Sequence, residues 1–393
     1  MRNITLGHLK INSRAERYIL DIIANSRLSR GKYTERFENE FAALHDCNHA
    51  IFMNSGTSAL QVALAALKEV HGYKDGDEVL VPATTFIATS NIVLQNNMRP
   101  VFVDVEQSTS NIDVEKIEAQ ITSRTRCIIP VHIFGLPVDM EPLMAIARKH
   151  GLQVIEDSCE TMFAESDGRR VGSFGDLACF STYVAHLIVG GVGGIVTTND
   201  DHLAMLCRSL MAHGRNSIYL SIDDDNVHGN NLQNIIERRY SFERIGYSYR
   251  PTELEAAIAL SELENWEENI STRRRNAALL TLFLDPLRQW LQLPIVPVNR
   301  THSFMMYPIV LQPGVDRDKL LLYLEENGVE TRYLLPLLSQ PIYQKLFPGL
   351  DNQYPIAQHL AQRGFIVGMH QGLSDLDIAN LANLFLAYFG KGL

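Results

Sequence analysis

The sequence predicts an α/β protein, with a mostly parallel central sheet covered by helices on both faces and a smaller C-terminal α/β domain. Three observations lead there. From about residue 50 to 200, short apolar runs alternate with helix-length stretches, the pattern of strands joined by crossover helices. At 393 residues the chain exceeds the roughly 250–300 at which a single core stops growing. After Arg250-Pro251 the pattern restarts with a long amphipathic segment and a second, shorter strand–helix series.

The elements follow in order. AIFMNS (50–55) reads as a strand and GTSALQVALAALKEV (56–70) as a helix. EVLVPA (78–83), PVFVDV (100–105) and CIIPVHIF (127–134) read as buried strands. The helix MEPLMAIARKHG (140–151) leads into the strand QVIEDSC (153–159), and LACFSTY (177–183) and GGIVTTN (193–199) follow as strands. Residues 222–231, IDDDNVHGNN, read as a polar, acidic loop. The segment 252–284 reads as one long helix, with Glu253 and Glu255 near the amino end, where the helix dipole favours them. MMYPIVLQ (305–312), DKLLLYLEENG (318–328) and a final helix near 375–390 make the smaller domain. The expected domains are 1–250 and 251–393, with the boundary between 245 and 255.

Composition narrows the function classes. Hydrophobic residues make up 46% and charged residues 20%, an ordinary globular balance, and the net charge of −10 does not suit a nucleic-acid or anionic-membrane partner. No apolar run approaches the roughly 20 residues that span a bilayer. The first twenty residues lack the apolar core of a secretory signal, so the cytoplasm is the expected compartment. Cys47, Cys127, Cys159, Cys179 and Cys207 are scattered without a CxxC pair, which reads as free thiols and no metal centre.

Strand ends carry the chemistry, because ligands of such sheets gather at the carboxyl edge. Ser55-Gly56-Thr57-Ser58 lies at a strand-to-helix junction, where free amides and the helix dipole can cradle an anion; a plain N-cap is the competing reading. Glu156-Asp157 ends an apolar strand, and a buried acid there needs a cation such as a protonated ring nitrogen; a cap or surface acid is the alternative. The stretch 172–200 contains Ser181, a possible phosphate donor, and the Gly190-Gly191 and Gly193-Gly194 pairs, which permit sharp turns. Within it, His186 alone reads as a core histidine.

Taken in order, SGTSAL, TTFIATSN, FVDV, PVHIFG, VIEDSC, GSFGDLACFS, GGVGGIVTTND and GYSYRPTELEAAIAL resemble the DegT/DnrJ/EryC1/StrS family of sugar aminotransferases. EENGVETR (325–332) and VGMHQGLSDLDI (367–378) resemble its small domain. The resemblance implies the fold-type I aspartate-aminotransferase architecture and a cytoplasmic homodimer with shared active sites. It places Gly56, Thr57, Ser58 and Ser181 at the phosphate of a pyridoxal-type cofactor, Phe86 stacked on its ring, Asp157 at the ring nitrogen and Glu160 beside the ring. Ser248 stands where the family's asparagine reaches across the dimer to phosphate.

The family's aminotransferases carry lysine six residues after the Phe of the FS pair. Here that Phe is Phe180 and the sixth residue is His186. Imidazole cannot replace the primary amine as a covalent anchor, but it can take and give protons. In this the chain is similar to the family's nucleotide-sugar 3-dehydratases, which hold pyridoxamine phosphate non-covalently. The resemblance thus implies a lyase that removes the C3 hydroxyl of a nucleotide-linked 4-keto-6-deoxy sugar in deoxysugar biosynthesis, using pyridoxamine 5′-phosphate or pyridoxal 5′-phosphate. Leu187 stands where those dehydratases have a second His and Val192 where they have an acid before the glycine pair, and Ser248 departs from the asparagine. A different pyridoxamine-phosphate reaction on an amino sugar, or a non-catalytic protein on the same fold, stays open at this point. Aminotransfer would need another lysine, and Lys32 and Lys68, the upstream candidates, lie in no motif that places them at the site. Arg215 and Arg332, in stretches resembling substrate loops, are the expected sugar-diphosphate ligands; His132, His213, Arg250 and His370 are weaker choices.

Overall fold

The computed structural model describes residues 4–216, 227–238 and 240–390. The large sheet contains β1 (His49–Met53), β2 (Glu78–Pro82), β3 (Arg99–Val103), β4 (Thr125–Ile128) and β5 (Gln153–Asp157). A short hairpin, β6 (Glu165–Ser166) and β7 (Arg169–Arg170), precedes its last two strands, β8 (Leu177–Ser181) and β9 (Gly194–Thr198). The strand order is β1-β9-β8-β5-β4-β2-β3. Strand β9 runs antiparallel to both its neighbours, whereas the pairs from β8 through β3 are parallel. Strands β2, β8 and β9 are buried at every residue, as strands covered on both faces must be.

The helices of this part are α1 (Ser13–Ala24), α2 (Lys32–Leu44), α3 (Gly56–His71), α4 (Ile87–Gln95), α5 (Met140–His150), α6 (Asp201–Met211) and α7 (Gly229–Arg238). Helix α7 overturns part of the loop expected at 222–231: residues 229–231 are helical, and 222–226 lie outside the described residues. Strand β4 also stops earlier than expected. Pro130 lacks the amide that would continue a regular ladder, and only isolated pairing with the end of β5 follows: the Pro130 carbonyl accepts the Asp157 amide and Val131 bridges Asp157.

The expected single helix over 252–284 is two, α8 (Glu253–Leu263) and α9 (Trp266–Leu284). The cause is tertiary. Ala256, Ala257, Leu260 and Leu263 pack into the large core, whereas Ala277, Leu280 and Leu284 pack into the core of the smaller sheet. At the break, Glu264 takes a hydrogen bond from Tyr18 and ion-pairs with Arg14 and Arg36. The smaller sheet is wholly antiparallel, β10 (Leu291–Gln292), β11 (Met306–Leu311), β13 (Gly364–Gly368) and β12 (Thr331–Tyr333) in that order. Helices α10 (Arg317–Glu326), α11 (Pro341–Leu346), α12 (Pro355–Arg363) and α13 (Asp375–Gly390) complete it. Ile4, at the other end of the chain, bridges Val329 and joins this core. Among the described residues no helix is long and apolar enough to cross a membrane.

Glu253 ties α8 to the start of α2. Its carboxylate, 2% exposed, accepts the amides of Gly31, Tyr33 and Thr34 and the Thr34 hydroxyl. Helix α2 has no side-chain cap of its own, so this acid supplies the missing acceptors. Glu253→Ala leaves four donors unmatched, three of them buried, and a loss of about 3 kcal/mol is expected in urea unfolding. A midpoint unchanged from the parent protein would show that water replaces the carboxylate at no cost.

Candidate active site

A cavity of about 380 Å3 opens at the carboxyl edge of the large sheet, within the size range of small-molecule sites. One wall is the amino end of α3. Ser55 caps that helix by accepting the Ser58 amide at 3.0 Å, and the Ser58 hydroxyl donates to Asn54 at 2.7 Å. Ser58 is therefore spent on the cap, and Gly56 and Thr57 are the residues that line the cavity with Ser55. A Cβ on Gly56 would stand 2.8 Å from Cys159 Sγ and 2.9 Å from Ser181 Cβ, so only glycine lets α3 approach the ends of β5 and β8 this closely. The unpaired amides of a helix start thus face a pocket that Ser181 also lines.

The last two residues of β5 point to opposite faces. Glu156 is fully buried and structural, taking the amides of Gly172, Phe174 and Gly175. His132 serves the same cluster. Its Nδ1 accepts the Val138 amide, so the proton sits on Nε2 and is donated to Glu156 at 3.1 Å. His132 is accordingly a core histidine. Asp157 lines the cavity and is 4% exposed. It accepts the Thr89 hydroxyl at 2.7 Å and the Cys159 amide at 3.2 Å, and no Lys or Arg pairs with it among the described residues. Burial raises its pKa above the usual carboxylate value. Glu160, three residues on, accepts the Phe134 amide at 2.9 Å, and burial pushes its pKa up to about 7.

Phe86, the N-cap residue of α4, presents a ring 57% exposed on the cavity. His186 stands on the wall contributed by the turn after β8. Burial, with the nearby Arg273 guanidinium adding to it, holds its pKa down to about 4, so the imidazole is neutral near pH 7. Its Nδ1 is shut off from solvent, while the residue itself lines the cavity. Gly193, at φ 144°, closes the turn; a Cβ there would collide with Thr182 and Phe52.

The structure therefore gathers Gly56, Thr57, Phe86, Asp157, Glu160, Ser181 and His186 around one cavity. It does not bring Ser248, Arg215 or Arg332 there within a single chain. Ser248 is exposed and bridges Ala212, Arg215 lies over the Phe242 ring at 5.3 Å, and Arg332 in β12 pairs with Glu330 at 2.6 Å. His213 and Arg250 contact each other instead, and His370 stacks on His8. Among the described residues no lysine lines the cavity; Lys32 pairs with Asp21 and Lys68 with Asp75. Sequence reasoning missed Thr89, Val131 and Tyr183 as lining residues. Only Thr89 left a signal, being four residues after Thr85 in TTFIATSN, and the two hydroxyls bond at 2.7 Å.

The donor set fits a pyridoxal-type cofactor: an anion cradle at α3, an exposed ring to stack, and a buried carboxylate lacking a cation. Comparison with known proteins agrees. Residues 10–385 match the DegT/DnrJ/EryC1/StrS aminotransferase family. The chain is 35% identical over 379 residues to the GDP-perosamine synthase of Caulobacter vibrioides, covering 95% of each. It is 36% identical over 356 residues to the UDP-N-acetyl-3-dehydro-alpha-D-glucosamine 3-aminotransferase of Acidithiobacillus ferrooxidans, covering 90% of this chain and 88% of that one. Its fold is similar to that of the Escherichia coli GDP-4-keto-6-deoxy-D-mannose-3-dehydratase solved with bound hydrated PLP. That pair has a TM-score of 0.87 at 26% identity, over 98% of this chain and 99% of the other.

Proposed function

Because the chain belongs to the DegT/DnrJ/EryC1/StrS family of pyridoxal-phosphate-type, sugar-modifying enzymes, with their fold-type I architecture, we propose that it is a 3-dehydratase of a nucleotide-linked 4-keto-6-deoxy sugar, with non-covalent pyridoxamine phosphate as cofactor. The observation that carries this reading is His186: it lines a cavity that no lysine among the described residues lines, and it is held neutral there.

Pyridoxamine phosphate, when bound, supplies an amine for the sugar ketone and a ring that withdraws electrons. The protein does the rest. Thr57 and Ser181 hold the phosphate at the amino end of α3, and Phe86 stacks on the ring. Asp157 keeps the ring nitrogen protonated and gains the cation its buried carboxylate lacks. His186 would be the group that takes up and returns protons at the amine end of the cofactor, handing one to the C3 hydroxyl of the sugar so that it leaves as water. Glu160, near half protonation at neutral pH, is a second holder of a proton beside the ring.

A homodimer is part of the proposal. The segment carrying Ser248 exposes Tyr240 at 87%, Phe242 at 47% and Ile245 at 96%, an apolar run suited to a second copy. Ser248 would then serve the neighbouring site, and Arg215 and Arg332 are proposed as ligands of the sugar diphosphate. A different reaction on the same bound sugar is the second reading. Val192 favours it, being an apolar residue 48% exposed on the cavity wall where the dehydratase pattern has an acid.

Titration with pyridoxamine phosphate and pyridoxal phosphate, followed by absorbance, tests the cofactor claim. Both are expected to bind reversibly, to dialyse away and to leave no mass adduct after borohydride. Binding of neither would favour a non-catalytic scaffold. Single-turnover incubation of the pyridoxamine phosphate complex with a panel of 4-keto-6-deoxy nucleotide sugars, GDP-linked first, is then expected to yield a 3-deoxy product. A product still carrying its C3 hydroxyl would move the assignment to the second reading.

A further inference from the structure

Arg273, in the second turn of α9, is 1% exposed. Its Nη1 donates to the carbonyls of Phe304, Met305 and Met369 at 3.3, 3.1 and 3.4 Å, and its Nη2 donates to the His186 carbonyl at 3.1 Å. Three of these carbonyls flank β11 and β13 of the smaller sheet, and the fourth belongs to the cavity wall. No carboxylate pairs with the guanidinium among the described residues. Its nearest acid is Glu262, itself buried and held by Asn269 and Gln371 at 3.3 and 3.4 Å. Burial lowers the pKa of Arg273 to about 10, which still leaves it charged at neutral pH. The other charged or titratable groups packed here are His370, which is pushed down to about 3, then His8 stacked upon it, and Lys10 beyond Glu262.

An unpaired buried cation is a poor way to fill space. Removing a guanidinium from water costs several kcal/mol, and an apolar side chain of similar volume would fill the site at less cost. What the apolar side chain could not do is grip one carbonyl on the cavity wall and three on the smaller sheet at once.

We propose that Arg273 is a positioning residue for His186, fastening the His186 carbonyl to the Phe304, Met305 and Met369 carbonyls so that the imidazole is fixed at the cavity and follows the smaller sheet. The inference rests on the reading of His186 as the proton-transfer group. The charge also acts on the ring: a fixed cation behind the imidazole disfavours imidazolium, adding to the effect of burial.

The test uses the full-length protein free of cofactor, labelled at histidine, with the His186 signal identified by its loss in His186→Asn. Arg273→Met is expected to raise the His186 pKa above about 4 and to shift its ring resonances. In single turnover it should lower the rate about tenfold while changing the concentration dependence on sugar less than twofold. Arg273→Lys keeps the charge and loses the fork; it should hold the low pKa and recover part of the rate. Where Arg273→Met does not fold, Arg273→Lys carries the test alone, through shifted His186 resonances and a reduced rate. A folded variant whose His186 titration, resonances and rate all match the parent would overturn the clamp. The titration is read without cofactor or substrate, so it decides the clamp even where His186→Asn turns over normally, the result that removes His186 from the mechanism.

Discussion

His186→Asn is expected to lower single-turnover formation of 3-deoxy product by between a hundredfold and ten-thousandfold, roughly the span attributed to one positioned acid–base group. Asparagine keeps the size and polarity of the site but cannot take a proton near neutral pH. Affinity for pyridoxamine phosphate should change less than about threefold, because the expected phosphate, ring and ring-nitrogen ligands, Thr57, Phe86 and Asp157, are untouched. A rate equal to that of the parent protein would exclude His186 from the chemistry. His186→Lys gives the companion result. A primary amine in that place is expected to capture added pyridoxal phosphate covalently, seen as a new absorbance band and a mass increase fixed by borohydride. Absence of the adduct, in a protein that still binds pyridoxal phosphate, would show that residue 186 is not aimed at the cofactor carbonyl.

Asp157→Asn should produce two effects of opposite sign. The carboxylate is buried without a cation of its own, and burial raises its pKa above the usual value. A raised acid favours folding fully only while protonated, so its contribution is lost as pH rises through the folded-state pKa. Asparagine can still accept the Cys159 amide with its oxygen and donate its amide to the Thr89 hydroxyl, without that penalty. The cofactor-free variant should therefore be at least as stable as the parent, by a margin that grows with pH up to the folded-state pKa of Asp157 and is constant above it. Binding of pyridoxamine phosphate, however, loses its charged partner, and affinity should fall by roughly a hundredfold, about 3 kcal/mol. Thermal melts of the free protein across pH 5 to 8, beside cofactor titrations, check both halves. A variant that is destabilised yet binds normally would assign Asp157 to the core.

Much of this was legible in the sequence because it is local. Apolar runs mark β1, β2, β3, β5, β8 and β9, and Ser55-Gly56-Thr57 and Asp157 sit at strand ends where the chain leaves the sheet. The position of His186 was legible only through its distance from Phe180, since a lone histidine in an apolar stretch has no signature of function. The interval between α8 and α9 was not legible, because neither Gly nor Pro marks it and the break follows from two cores that pull on one amphipathic segment. Arg273 was equally opaque. Its role depends on carbonyls at 186, 304, 305 and 369, and backbone groups leave no trace in residue identity. Ser58 shows the converse, a hydroxyl in the right motif whose bonds are already committed to the helix cap.

The reversed strand β9 has a consequence for the order of assembly. Strand β1 emerges from the ribosome early, yet its sheet partner begins only at Gly194, and Met53 pairs with that residue. Ser55, which starts the anion cradle, bridges Gly193. A nascent chain that ends between Ser181 and Gly194 has every parallel strand of the sheet but no place to dock β1, whose residues Ile51, Phe52 and Met53 are fully buried in the finished protein. The cradle is thus completed by the longest-range pairing of the large sheet, the kind of contact that forms late and slowly. A phosphate-bearing ligand can grip only chains that have passed that point, and so selects the fully assembled protein from its precursors.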